Sequence, residues 1–134
     1  MTIKVLVVDD SFVMRTLIKD IVVADADLEV VGDAANGKLA LDQVKALNPD
    51  IILLDIEMPE MDGLECLKRL KLLSRAKVII VSSLGQMGSP QTLEAYKLGA
   101  VAVVEKPSGA MSLDLGLKKG HEIIKAVRKA AGLP

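Results

Sequence analysis

Five short, almost continuously apolar runs alternate along this chain with five longer segments of helical periodicity. The runs cover residues 3–8, 28–31, 51–54, 77–81 and 100–104. Unbroken apolar character is typical of strands buried on both faces, because a strand with one solvated face alternates apolar and polar residues. Strands that alternate with helices through short connections pair in parallel, with right-handed crossovers and helices on both faces. The pattern therefore predicts an α/β domain built on one five-stranded parallel sheet.

The helical segments carry signals for where they begin and which face they bury. Ser11 and the pair Ser89-Pro90 are typical helix starts. The inner residues expected for the first helix, at 12–24, are Phe12, Val13, Leu17, Ile21 and Val22. Arg15 is expected on the solvent side of that helix. Leu93 and Tyr96 are expected to face the sheet from the fourth helix.

The composition excludes several classes of function. The chain has 134 residues, which predicts one domain (1–134), and 17 basic against 18 acidic residues give no excess of charge that would mark a nucleic-acid binder. One cysteine rules out an internal disulfide, and one histidine rules out a zinc site built on several histidines. No apolar run approaches the roughly 18 residues needed to cross a bilayer. We expect a cytoplasmic domain that neither inserts into membranes nor binds nucleic acid.

Polar residues follow four of the five runs. Asp9-Asp10 come directly after the first run and Asp55 after the third. Ser82-Ser83 come after the fourth run, and Lys106 stands just beyond the fifth. Because binding sites in open α/β sheets form at the carboxyl ends of the strands, we expect three carboxylates, two hydroxyls and one amine to lie together.

This set of groups suits metal-assisted phosphoryl transfer. Carboxylate oxygens favour a hard cation such as Mg²⁺, which also relieves the repulsion among crowded carboxylates. An ionised aspartate is a competent nucleophile and can form an acyl phosphate. The phosphoryl oxygens then need a metal, a lysine and hydroxyl or backbone donors around them. Asp10, Lys106 and Ser82 supply groups of these types.

Other functions of α/β domains lack their residues here. A dinucleotide site needs a glycine-rich turn after the first strand, where this chain has Asp9-Asp10-Ser11, and a Walker P-loop is absent. A phosphatase of the haloacid dehalogenase type carries a second aspartate two residues after the first, and that residue here is Ser11. A flavin or cobalamin module shares the fold class but carries a phosphate-binding Ser/Thr-Gly loop or a ligating histidine, and neither is found.

In chain order, Asp9-Asp10, the segment 55–63, Ser82 and Lys106-Pro107 resemble the receiver domain of two-component response regulators. The resemblance covers essentially the whole chain. It implies a CheY-like, flavodoxin-like doubly wound (βα)5 fold, a three-layer sandwich with strand order 2-1-3-4-5. Asp55 would then be the phosphoacceptor of a two-component phosphorelay.

The resemblance also implies the ligands of a Mg²⁺ cofactor. Asp10, Asp55 and the backbone carbonyl of Glu57 would bind the ion, and Asp9 would support it indirectly. The side chain of Glu57 has three candidate surroundings, namely Lys106, the metal and water, and the sequence does not choose among them.

A second set of residues would bind the phosphoryl group and switch. Ser82 and Ser83 would contact the group and move on activation, and Lys106 would pair with it. The Lys106-Pro107 peptide bond would be cis. Many receivers have an aromatic switch residue three positions before the lysine, and this chain has Val103 there.

Short segments at 81–84, 106–109 and 112–114 are similar to the receiver of the chemotaxis protein-glutamate methylesterase CheB. The implied partners are a CheA-like sensor histidine kinase and a methylesterase catalytic domain or other effector, bound through the face of helix 4, strand 5 and helix 5. The chain itself is not expected to hydrolyse esters, since His121 is its one histidine and it has no Gly-x-Ser-x-Gly nucleophile elbow. A free-standing receiver and the receiver of a DNA-binding regulator remain alternatives.

Overall fold

Five strands and five helices alternate along the chain. The computed structural model describes residues 2–58, 61–83, 87–107 and 113–134, the last segment without the side chains of 113–119. The strands are β1 (Ile3–Val8), β2 (Leu28–Ala34), β3 (Ile51–Asp55), β4 (Lys77–Ser82) and β5 (Ala102–Glu105). They form one parallel sheet in the order β2-β1-β3-β4-β5. The predicted fold class, sheet and strand order are therefore confirmed.

A helix follows each strand. The helices are α1 (Phe12–Val23), α2 (Gly37–Leu47), α3 (Gly63–Leu73), α4 (Pro90–Lys97) and α5 (Leu113–Ala130). The first four begin at a polar cap. The backbone N–H three residues later donates in each case to the side chain of the cap, which is Ser11, Asn36, Asp62 or Ser89. Among the described residues, no helix is both long enough and apolar enough to cross a bilayer.

Apolar side chains cover both faces of the sheet. Leu53 and Leu54 are neighbours in β3 and are both fully buried, although successive side chains of a strand point to opposite faces. Leu54 packs on the face covered by α2, α3 and α4, and Leu53 packs on the face covered by α1 and α5. Burial of each such side chain contributes about 2 kcal/mol. The sheet is therefore the middle layer of three, as its unbroken apolar runs predict.

Helix α1 turns to the sheet a face that only partly matches the predicted one, with Val22 common to both. Its buried residues are Met14, Ile18 and Val22, whereas Phe12 and Val13 are 72% and 74% exposed. Apolar residues surround most of this helix, so its sequence is compatible with more than one stripe. The Ser11 cap sets where the helix begins, and the row spaced by four residues then lies against the sheet.

Helix α4 also differs from expectation. Thr92 and Ala95 are its buried residues, and Leu93 and Tyr96 are exposed. The two larger apolar side chains remain on the outer surface.

The strand ends bring the candidate site residues to one edge of the sheet. Asp9 directly follows β1, Asp55 ends β3, Ser82 ends β4, and Lys106 follows β5. The backbone N–H of Lys106 donates to the carbonyl of Ser82 at 2.8 Å, which continues the β4–β5 pairing beyond the last residue of β5. The predicted juxtaposition therefore follows from parallel pairing alone.

Candidate functional site

Two aspartate side chains are buried at this edge. Asp9 is 0% exposed and Asp55 is 1% exposed. The backbone N–H of Ser11 donates to Asp9 Oδ1 at 2.9 Å, and that of Glu57 donates to Asp55 Oδ1 at 3.0 Å. Each carboxylate is thus held by the loop that follows its own strand. The other oxygen of each, Oδ2, has no hydrogen-bond partner among the described residues.

Gly63 holds the segment after Asp55 close to the end of β3. Its N–H donates to the carbonyl of Ile56 at 3.1 Å. A Cβ atom at this position would lie 2.5 Å from Ile56 Cα and 2.6 Å from the carbonyl oxygen of Asp55. Any larger residue would push the start of α3 away, so the close approach requires glycine.

Lys106 bridges the two buried aspartates. Its Nζ lies 3.1 Å from Asp55 Oδ1 and 3.5 Å from Asp9 Oδ2. The lysine side chain is 17% exposed, so the ion pairs are shielded from water on most sides. An ammonium group between two carboxylates leaves the cluster with one negative charge in excess when both acids are ionised.

The electrostatics of the cluster follow from burial. Burial raises the pKa of Asp55 from 3.8 to about 6, although the Glu57 N–H and the Lys106 ammonium both favour the charged form. The pKa of Asp9 is raised by the same cause. Burial alone would lower the pKa of Lys106, but the two carboxylates outweigh it and the pKa is raised. Negative charge at Asp55 is therefore under-compensated, and a second cation would be bound favourably.

Three carboxylates are close enough to share a cation. Asp9, Asp10 and Asp55 each offer an oxygen atom, and these atoms lie within 4.8 Å of one another. Asp9 and Asp55 are buried, and Asp10 is exposed, so the group opens to solvent on one side. The crowded carboxylate oxygens and the excess negative charge fit a hard divalent cation bound by oxygen atoms and water.

The hydroxyl groups lie beside this cluster. Ser82 is fully buried, and its Oγ donates to the carbonyl of Ser83 at 3.4 Å, which is a long hydrogen bond. Ser83 Oγ makes a similarly long contact of 3.5 Å with Glu57 Oε1. Of the three surroundings considered for the exposed Glu57 side chain, the structure favours water, with Ser83 as its neighbour.

The predicted isomer of the Lys106–Pro107 bond is wrong. Among the described residues no peptide bond is cis, so this bond is trans. Trans is the lower-energy isomer of an X-Pro bond by about 0.5–1 kcal/mol, and Lys106 already reaches both aspartates with this backbone.

The residue at the aromatic switch position has an aromatic neighbour. Val103 lies in β5 and is partly buried. Its backbone N–H donates to Tyr96 Oη at 3.1 Å, which joins α4 to the edge strand of the sheet. The sequence reading missed this contact because it placed Tyr96 against the core.

Arg15 was also missed, since the helical pattern placed it toward solvent. Its side chain is 13% exposed and points back along α1 to the end of β1. Arg15 Nη1 donates to the backbone carbonyl of Asp9 at 2.8 Å, and Nε donates to Asp33 Oδ2 at 2.9 Å. Its position five residues after Asp10, one turn into a helix, was the available signal.

A family model of the response regulator receiver domain matches residues 5–130. The chain is 50% identical to a protein-glutamate methylesterase/protein-glutamine glutaminase of Syntrophomonas wolfei, over 96% of this chain and 36% of that protein. It is 48% identical to one of Halalkalibacterium halodurans, over 98% of this chain and 37% of that protein. The chain thus spans about a third of the length of these relatives.

Solved structures give the same result. The response regulator domain of Thermotoga maritima CheB superposes with a TM-score of 0.87 at 40% identity, covering 100% of this chain and 99% of that one. CheY6 of R. sphaeroides, solved in complex with the P1 domain of CheA3, is 44% identical with a TM-score of 0.81 and 97% coverage of both chains. The matched stretch is the receiver part of the methylesterases, and their esterase domain lies outside it. The chain belongs to the response regulator receiver domain family.

Proposed function

We propose that Asp55 accepts a phosphoryl group from the phosphohistidine of a CheA-like sensor kinase, and that the chain is the regulatory receiver of a chemotaxis methylesterase. The observation that carries the proposal is the state of Asp55. Its buried carboxylate has one oxygen held by Glu57 and Lys106 and the other without a hydrogen-bond partner among the described residues. An unpartnered carboxylate oxygen at the open end of a parallel sheet is suited to nucleophilic attack.

In the proposed step Asp55 Oδ2 forms a bond to phosphorus as the P–N bond of the phosphohistidine breaks. The electron pair of the breaking P–N bond stays with the leaving imidazole. Mg²⁺, when bound, would neutralise part of the charge on the phosphoryl oxygens. Asp10, Asp55 and the Glu57 carbonyl would hold the ion, with Asp9 acting indirectly.

Lys106 and Ser82 are proposed to convert this charge into a conformational signal. Among the described residues, Lys106 is the cation within ion-pair distance of Asp55. Its ammonium group would therefore move toward negative charge added to that residue. Ser82 Oγ makes a long hydrogen bond that it can exchange for a phosphoryl oxygen, and Ser83 would move with it. Their displacement would be felt by α4, β5 and α5, which we propose as the surface that binds the effector.

Several observations support these partners without testing them. CheY6, which is 44% identical to this chain, was solved with the P1 domain of a CheA protein. The methylesterase relatives carry further sequence outside the matched stretch, about twice as long as that stretch. We propose that residues 1–134 form a single receiver domain working in the cytoplasm, joined to a methylesterase catalytic domain.

A free-standing receiver is the second candidate. The match to CheY6 covers 97% of that chain, so a receiver of this sequence type occurs as a chain with little sequence outside the matched stretch. Reading the source gene past the codon for Pro134 separates the two, because a methylesterase would continue in frame.

Intact-mass spectrometry after incubation with acetyl phosphate, with and without Mg²⁺, tests the phosphoacceptor. We expect one phosphoryl group that requires Mg²⁺, is absent from Asp55→Asn and is retained in the matched control Asp42→Asn, which changes an exposed carboxylate on α2. A phosphorylated CheA-type kinase should give the same adduct. An adduct that persists in Asp55→Asn would contradict the assignment, as would its absence from wild-type protein that binds Mg²⁺ and beryllofluoride.

A further inference from the structure

Arg15 connects the end of β1 to the end of β2. Its guanidinium donates to the backbone carbonyl of Asp9 at 2.8 Å and to the carboxylate of Asp33 at 2.9 Å. The ring of Phe12 lies 5.7 Å from the guanidinium carbon. The guanidinium thus has three partners and the side chain is 13% exposed, so these contacts can hold the partners in place.

The carbonyl that Arg15 binds belongs to the peptide unit joining Asp9 to Asp10. A peptide unit is planar, so holding its oxygen also sets the direction in which the chain enters Asp10. The other side of the loop is held by the N–H of Ser11, which donates to Asp9 Oδ1, and by the N–H of Asp9, which donates to Ala34. Arg15 therefore completes the set of contacts that position both aspartates.

The charge of Arg15 would be unfavourable beside a cation site unless it were compensated. Asp33 offsets part of that charge at 2.9 Å, although Lys19 Nζ lies 3.4 Å from the same carboxylate oxygen. Asp33 is itself fixed, because its backbone carbonyl accepts a hydrogen bond from Gln43 Nε2 at 2.6 Å. Arg15 can thus hold the loop through a neutral carbonyl and leave the carboxylates of Asp9 and Asp10 available for a metal.

We propose that Arg15 is a positioning residue for the metal site. It orients the Asp9–Asp10 peptide unit and thereby increases the affinity of the acidic group for Mg²⁺. The proposal rests on the proposed function insofar as it assumes that Asp9, Asp10 and Asp55 bind Mg²⁺. It goes beyond that function by assigning a role to a residue that touches neither the ion nor the phosphoryl group.

The test is a Mg²⁺ titration of unphosphorylated protein by calorimetry and by backbone amide NMR shifts, since the chain has no tryptophan to report binding. In Arg15→Met, which keeps most of the apolar stem, we expect the dissociation constant for Mg²⁺ to rise about tenfold, as for other residues that orient metal ligands. Arg15→Lys should recover only part of the loss, because one ammonium group cannot donate to both partners with the geometry of a guanidinium.

A kinetic readout separates positioning from general loss of structure. In Arg15→Met the Mg²⁺ concentration that gives half-maximal phosphorylation by acetyl phosphate should rise by the same factor, and the rate at saturating Mg²⁺ should equal that of the wild type. A fall in the saturated rate with unchanged Mg²⁺ dependence would overturn the proposal.

Arg128→Ala is the matched control. Arg128 likewise donates to carboxylates, Asp25 and Asp27, and to a backbone carbonyl, that of Pro134, but at the far end of the sheet. This control should lose stability and keep the wild-type Mg²⁺ affinity. Unchanged affinity in Arg15→Met would overturn this inference alone, whereas wild-type protein that bound no Mg²⁺ would overturn the proposed function as well.

Discussion

The buried position of Asp55 lowers the stability of the folded protein at neutral pH. Its carboxylate is 1% exposed, and burial raises its pKa to about 6. A carboxyl group whose pKa is higher in the folded state favours folding while protonated and loses that contribution as pH rises from about 4 through about 6. At neutral pH and without a metal, the ionised side chain is therefore a cost carried by the folded protein, which is common at functional sites.

Asp55→Asn should consequently make the metal-free protein more stable at pH 7.5. The gain should be about 3 kcal/mol, since the pKa rises by about two units and each unit corresponds to about 1.4 kcal/mol. The gain should shrink as pH falls from about 6 toward 4 and vanish near pH 3, where wild-type Asp55 is protonated in both states. Urea unfolding between pH 3 and pH 8, in the presence of a chelator, measures this. A wild-type protein that is the more stable one at pH 7.5 would refute the electrostatic account.

Tyr96 belongs to the element scale, because it joins a helix to an edge strand. Among the described residues strand β5 pairs on one side, with β4, and Tyr96 Oη accepts from the Val103 N–H within it. Tyr96 thus contacts the backbone at the position where many receivers carry an aromatic side chain. If α4 shifted relative to β5, either this hydrogen bond would break or the Tyr96 side chain would have to change position to keep it.

Tyr96→Phe should remove that hydrogen bond with little change in packing. We expect a loss of about 0.5–1.5 kcal/mol of stability and faster hydrogen exchange at the Val103 amide, because its partner is gone. Leu93→Ala changes another exposed side chain of α4 and should leave that exchange rate unaltered. Unchanged exchange in Tyr96→Phe would mean that the bond is not populated in solution.

At the same scale, backbone pattern proved easier to predict than side-chain direction. The five strands follow from unbroken apolar runs, and the meeting of Asp9, Asp55 and Lys106 follows from parallel pairing. The predicted buried stripe of α1 was right at Val22 and wrong at Phe12 and Val13, because a helix apolar around most of its circumference does not specify one face. Arg15 and Tyr96 were misplaced for a related reason, since long side chains reach partners that a helical pattern does not encode.

At the scale of the whole molecule, Arg128 joins parts of the chain that are distant in sequence. Arg128 Nη1 lies 2.9 Å from Asp25 Oδ1 and 2.8 Å from Asp25 Oδ2, and Nε donates to the carbonyl of Pro134 at 3.0 Å. These bonds tie the end of α5 to the connection between α1 and β2. They lie at the opposite end of the strands from Asp55, so this group of ion pairs and the candidate site are separated along the sheet.

Arg128→Ala should therefore lower the unfolding temperature by a few degrees and leave phosphorylation of Asp55 unchanged. Hydrogen bonds from the Asp27 N–H and from Arg128 lower the pKa of Asp25, so this carboxylate stabilises the fold above its ordinary pKa of 3.8 and loses that contribution as pH falls. The loss of stability in Arg128→Ala should then be largest at neutral pH and shrink below about pH 4.

At neutral pH Asp55→Asn should change stability in the opposite direction, because the wild-type Asp55 carboxylate is buried with too little compensating charge. The Asp25 carboxylate, in contrast, is well paired. Thermal unfolding of both variants at pH 7.5 and pH 3.5 tests this opposition, and a deficit of Arg128→Ala that grew in acid would contradict it.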